Sequence, residues 1–227
     1  MADRLAAMAR DLLEQDSLQA TVDRIAAHAV DLVHGCDAAG ILTLRRGQVQ
    51  TLAASADVVR SCDRIQGELG EGPCFNAVTD DQPVQRIPDL TTGVDSWPRY
   101  APQARALGIR SALGFRLFTR HETLGALNLY SFRPRAFTEA GEHLGWLLAS
   151  HAAVAFAYAR TEEQLTTALQ TRHEIGTATG IVMERFHLDD DQAAFDVLKK
   201  TSQDLNIKLR DVARTILNNE TIPRRPR

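Results

Sequence analysis

Residues 165–217 read LTTALQTRHEIGTATGIVMERFHLDDDQAAFDVLKKTSQDLNIKLRDVARTIL. The spacing predicts three helices separated by two breaks. The first ends near Phe186-His187. Leu188-Asp189-Asp190-Asp191 opens the second, with Asp189 as N-cap, because a carboxylate there takes up backbone N–H groups that the first turn leaves unpaired. Ala194, Val197, Leu198, Thr201 and Leu205 recur at the spacing of one helix face. Asn206-Ile207 is the second break, and Leu209, Val212, Ala213, Ile216 and Leu217 make the face of the third helix. Three such helices bury a small shared core. The end of the chain, TIPRRPR, is basic and Pro-containing, and residues 220–227 are expected to be disordered.

Moving back toward the N-terminus, no proline occurs between Thr138 and Pro223. Thr138 is a suitable N-cap for a helix that continues through Ala140, Leu144, Leu147, Leu148, His151, Ala152, Val154 and Ala155. Gly141 and Gly145 weaken it locally. It is expected to run past Leu165 and Leu169 to Phe186. A helix of that length outlasts a globular face and points to a dimerising rod.

Residues 3–34 read as two helices broken at Asp16-Ser17. Strands follow at Ala39–Leu44 and Val49–Ala54, joined by a turn at Arg46-Gly47. A helix is expected over 57–69, then a turn-rich GELGEGPCF, then a strand at Val84–Ile87. Residues 88–97 read as a loop and 98–107 as a short helix. Strands at 111–119 and 123–132 complete an antiparallel meander flanked by helices, an α+β class.

The chain has 227 residues, 44% hydrophobic and 24% charged, which fits one large or two modest globular domains. No run approaches the roughly 18 apolar residues of a membrane span. The first residues lack the apolar core of a signal peptide. Cys36, Cys62 and Cys74 form no Cys-x-x-Cys pair, so neither a disulfide framework nor a zinc site is indicated, and the seven histidines show no metal-ligand spacing. A cytoplasmic protein with reduced thiols and no cofactor is expected. Residues 1–159 carry 15 Arg, no Lys and 18 Asp or Glu; residues 160–227 carry 8 Arg, 3 Lys and 11 Asp or Glu. The C-terminal part is therefore balanced, and any nucleic-acid contact there must be local. The three lysines, Lys199, Lys200 and Lys208, rule out a P-loop and a phosphorylatable receiver over residues 1–198.

Residues 165–217 resemble the ANTAR family. Leu169, Arg172, Ile175, Ala178, Gly180-Ile181-Val182-Met183, Ala194-Phe195, Leu198, Ser202, Asn206, Lys208-Leu209 and Asp211-Val212-Ala213 carry the resemblance. Thr179 departs from it, standing where the family usually has Lys. Residues 37–132 are similar to GAF domains through GELGEGPCFNAV, Trp97-Pro98, GIRSALGFRLF and GALNLYSFRPRAF. The resemblance implies a GAF-like sensor over 1–150, a helical, coiled-coil-like linker over 151–164 and an ANTAR module over 165–219.

The same resemblance implies binding of paired RNA hairpins and stabilisation of an antiterminator fold, touching RNA polymerase only indirectly. An unknown small molecule or protein would signal through the GAF-like part, and a homodimer is expected. Arg172, Thr179 and Arg185 on the first helix alternate with Gly176, Ala178 and Gly180, small residues that serve either helix packing or a close nucleotide. Met183 reads as core. Lys199, Ser202, Gln203 and Asn206 lie at i, i+3, i+4 and i+7, one polar face, and Lys208 follows. That face is either simply solvated or an RNA contact.

In the GAF-like part Cys74, Phe75, Trp97 and Tyr100 line either a ligand pocket or the core. Two alternatives stand beside a non-enzymatic regulator. One is a DNA-binding regulator using Arg210 and Arg214, weakened by Asp211. The other is a GAF enzyme that reduces methionine sulfoxide through Cys74.

Overall fold

The structure, a computed structural model, describes residues 2–79, 83–92 and 97–218. The expected disorder over 220–227 lies outside the described residues. The chain divides into two compact units, Met1–Thr161 and Glu162–Arg227.

The first unit begins with α1 (Ala2–Leu13) and α2 (Leu18–Leu32). They part at Asp16-Ser17, where the Ser17 hydroxyl caps α2 by accepting from the Ala20 N–H at 3.1 Å. Strands β1 (Ala38–Arg45) and β2 (Gln48–Ala54) form a hairpin. Its turn residues Arg46 and Gly47 both have positive φ, 55° and 78°, a backbone that fits the twist of paired strands. Helices α3 (Asp57–Leu69) and α4 (Pro73–Thr79), strand β3 (Val84–Ile87) and helix α5 (Tyr100–Ala106) follow. The GELGEGPCF segment is thus more ordered than a run of turns. Gly70 ends α3 in a left-handed conformation, φ 61°, and Pro73 starts α4, a position where its missing N–H costs nothing.

Strands β4 (Ser111–Phe118) and β5 (Thr123–Ser131) form the second hairpin. The sheet order is β2-β1-β5-β4-β3 and every pairing is antiparallel. It is therefore not a plain meander: β1 pairs with β5 across a long stretch of sequence, which no local signal encodes.

Alternation along the strands feeds two cores. Ile41, Leu113, Phe115, Leu117, Leu127 and Leu129 face α1, α2 and the last helix of this unit, α6 (Glu139–Phe186). Ala38, Leu42, Ala112, Ala126 and Tyr130 face α3, α4 and α5. Thr138 caps α6 as expected, accepting from the Gly141 N–H at 3.1 Å. Gly145 is a packing device: a Cβ there would stand 2.5 Å from Cζ of Phe115.

The second unit comprises the C-terminal part of α6, α7 (Asp191–Leu205) and α8 (Leu209–Leu217). Ala178, Val182, Ala194, Leu198, Val212, Ala213 and Ile216 form its core, with Met183 half-buried against it. The cap of α7 falls one residue later than the sequence reading places it. Asp190, not Asp189, accepts from the N–H groups of Gln192 and Ala193 at 3.0 and 3.2 Å.

Asp190→Ala should lower the stability of the second unit by about 1 kcal/mol, read by chemical denaturation. A second effect on stability comes from Asp63 on α3. It is fully buried, and burial pushes its carboxyl up to about 7, well above the usual carboxylate range. The folded state then holds a proton that the unfolded chain releases. The contribution of Asp63 is therefore most favourable below about pH 4 and is lost as pH rises through about 7. Asp63→Asn should flatten that slope and stabilise the protein by roughly 1–3 kcal/mol at mildly alkaline pH. Equal pH dependence in denaturation of both proteins would refute this.

Candidate nucleic-acid interface

The second unit sorts its cations into two groups. Arg214 on α8 donates from Nε to Glu174 Oε2 on α6 at 2.9 Å, and Arg210 lies 3.6 Å from Asp211. These are the two arginines of the DNA-binding alternative, and the first is tied to its own fold. Arg172, Arg185, Lys199, Lys200 and Lys208 are exposed and, among the described residues, make no ion pair. Their charge is free for an anionic partner.

The turn between α7 and α8 is built by reciprocal bonds. The Ser202 hydroxyl donates to the Ile207 carbonyl at 2.6 Å, and the Ile207 N–H donates to the Ser202 carbonyl at 3.1 Å. Asn206 sits between them at φ 54°, a left-handed position that Asn tolerates better than most residues. Ser202 is therefore half-buried and engaged in the turn, whereas Gln203, Asn206 and Lys208 are exposed. The structure brings Lys199, Gln203 and Asn206 to the end of α7, with Lys208 just beyond the turn at the N-cap position of α8.

Thr179 is placed differently from the exposed cations. It is 8% exposed, and its hydroxyl donates back to the Ile175 carbonyl at 2.8 Å. Ala178 is fully buried, as helix packing requires. Gly180 is not part of that packing: it is exposed, and a Cβ at Gly176 or Gly180 would meet nothing within 4 Å. A groove of about 550 Å³ runs here between α6 and α7, lined by Arg172, Ile175, Gly176, Thr179, Gly180, Met183, Asp191, Gln192 and Phe195. Phe195 is the aromatic residue of this groove that the sequence reading did not single out as a site residue. Its place on the same face as Gln192, three residues before it on α7, was the available signal.

In the first unit, Phe75 and Trp97 are half-buried and Tyr100 is fully buried. The Phe75 N–H donates to Gln66 Oε1 at 3.3 Å, and Trp97 Nε1 donates to Asn76 Oδ1 at 3.1 Å. Tyr100 packs in the same core cluster as Cys62 of α3. Glu71 accepts from the N–H groups of Arg99 and Tyr100, each at 3.0 Å, and from Arg99 Nε at 2.8 Å, which holds its carboxyl below the usual range. These bonds tie the start of α5 to the segment that follows α3. The Cys74 side chain lies outside the described residues. Burial pushes the thiols of Cys36 and Cys62 up to about 12, so neither is a ready nucleophile. Among the described residues no three His, Cys, Asp or Glu side chains gather as a metal site, and no helix is long and apolar enough to cross a membrane.

Residues 15–157 match the family model described as GAF domain, and residues 163–217 match the one described as ANTAR domain. No curated protein matches the chain. Among solved structures, the first unit's fold is similar to the GAF domain of an Acinetobacter phosphoenolpyruvate-protein phosphotransferase. The TM-score is 0.57 at 17% identity, covering 72% of this chain and 96% of that one. The GAF domain of the Coxiella burnetii phosphoenolpyruvate-protein phosphotransferase gives 0.57 at 16%, with the same coverage of 72% and 96%. The chromophore-binding domain of a bacteriophytochrome from R. palustris gives 0.56 at 13%. That match covers 71% of this chain and spans only 62% of that one. At these identities the likeness is one of fold. The chain belongs to the GAF-domain family and carries an ANTAR domain behind it, the architecture of antitermination regulators.

Proposed function

We propose that this protein is a cytoplasmic, non-enzymatic regulator whose ANTAR module binds paired hairpins in nascent RNA. Binding stabilises an antiterminator fold over a terminator. It acts by shifting the population of RNA folds, so it must hold one fold more tightly than the other. RNA polymerase is affected only through the RNA. The single observation that carries this reading is the set of cations without an ion pair among the described residues, Arg172, Arg185, Lys199, Lys200 and Lys208, on a module whose total charge is balanced.

Arg and Lys position a nucleic acid through its phosphates, and polar side chains such as Gln203 and Asn206 suit base edges in unpaired loops. Ser202 supports the turn that presents them, and Thr179 lines the groove floor. In the sensor, Cys74, Phe75, Trp97 and Tyr100 remain the proposed surroundings of a small-molecule or protein signal. The proposed domain limits are those given above, 1–150, 151–164 and 165–219.

The protein is proposed to act as a homodimer. Within the first unit α6 exposes Leu147, Val154 and Tyr158, seven and then four residues apart. Within the second it exposes Leu165 and Leu169, each 60% accessible, in a stretch where every residue from 161 to 170 is exposed. Spacings of seven and four return to nearly the same side of a helix. Apolar residues that, among the described residues, each unit leaves exposed on this helix fit a second copy of the same helix.

Lys199→Ala and Lys208→Ala should each weaken binding to a stem-loop RNA. Each should also lower the slope of log affinity against log salt by about 0.7–0.9 for every phosphate that the side chain neutralises. Filter binding across a salt series measures both; unchanged affinity and slope in the two variants would sink the proposed face. Leu165→Glu with Leu169→Glu should turn a dimer into a monomer in light scattering while the thermal unfolding of the first unit is kept.

A further inference from the structure

A second groove, of about 380 Å³, lies in the first unit where α3 crosses the edge strand β2. None of the residues named for the signal pocket lines it. Its wall includes Thr51, Arg60, Asp63, Arg64 and Glu68.

Asp63 is anomalous there. Its Oδ2 accepts from the Thr51 hydroxyl at 2.8 Å, but its Oδ1 is buried without a hydrogen-bond partner. A buried carboxylate oxygen left unpaired is costly, and an apolar or amide side chain at this place would serve the fold better. Groups that burden the fold in this way concentrate at functional sites. The rim has its own imbalance. Arg64 and Glu68 pair at 2.9 Å and neutralise each other. Arg60 is exposed and makes no ion pair among the described residues, close enough to Asp63 to act on its charge. The groove thus keeps one guanidinium without an ion pair and one buried carboxyl, protonated below about pH 7 when the groove is empty and ionised, its proton released to solvent, once a cation meets it.

A bare organic cation would satisfy Asp63 and be repelled by Arg60; a bare anion would do the reverse. We propose that this groove binds a small zwitterion of the α-amino-acid class, its ammonium donating to Asp63 and its carboxylate paired with Arg60. Arg60 and Arg64 are exposed, long and flexible, so they can swing aside to admit the ammonium without unpacking the core.

The test is isothermal titration and thermal shift on the full chain with the protein L-amino acids, with methylamine and acetate as half-ligands. At least one amino acid should bind and raise the melting temperature, and each half-ligand should bind at least about tenfold more weakly. Arg60→Ala, an exposed change that leaves the fold intact, should weaken binding about tenfold, and Asp63→Asn should abolish it. Failure of every amino acid to bind, with the orphan oxygen satisfied by water alone, overturns the proposal. So does binding that survives Asp63→Asn, or survives Arg60→Ala undiminished if the Asp63 variant does not fold. RNA binding is read separately through Lys199 and Lys208, so failure here leaves that function standing.

Discussion

The structure depends on one helix being used twice. Over its first half α6 buries Leu144, Leu148, Ala152, Ala155 and Phe156 against the sheet. Near its end it buries Ala178 and Val182 in the three-helix core. Between these two buried faces lies a stretch exposed on every side. An isolated helix is held only by its own hydrogen bonds and side-chain neighbours, and that is marginal over a few turns in water. Packing at both ends is what keeps the middle helical. Leu165 and Leu169 are the large apolar residues left exposed in this stretch.

Charge in the second unit is arranged rather than accumulated. The pairing of Arg214 with Glu174 fastens α8 to α6, whereas Arg172, Arg185, Lys199, Lys200 and Lys208 stand on the exposed surface with no ion pair among the described residues. The proposed RNA binding would then rest on a few placed groups, with a modest salt slope rather than that of a polycation. The first unit makes a related compromise. Glu71 is well served by Arg99 and Tyr100, whereas Asp63 sits buried with half its carboxylate unmet. Of these two acidic residues on or beside one helix, one is fully engaged and the other keeps a buried oxygen without a partner.

Helix and strand positions were legible because each rests on neighbours in sequence. The break at Asp16-Ser17, the hairpin turn at Arg46-Gly47 and the cap at Thr138 all appear where local chemistry puts them. The shift of the α7 cap from Asp189 to Asp190 is of the same local kind: three consecutive aspartates can each cap, and the bonds to Gln192 and Ala193 fall to Asp190. The glycines divide more sharply. Gly145 reads as a weak helix position until the ring of Phe115, from a distant strand, is seen to need its space. Gly180 reads as a packing residue until its surroundings prove open.

The sequence by itself determined the α+β class, the long helix, the two family resemblances and the identity of the exposed cations, because periodicity, capping and motif spacing are properties of contiguous residues. Only the tertiary structure decided the β1–β5 pairing, the inward placement of Thr179, the engagement of Ser202 in its turn and the burial of Asp63. Each of these depends on which side of an element meets a partner elsewhere in the fold. A polar residue's fate as solvated, bonded or orphaned is set by that meeting.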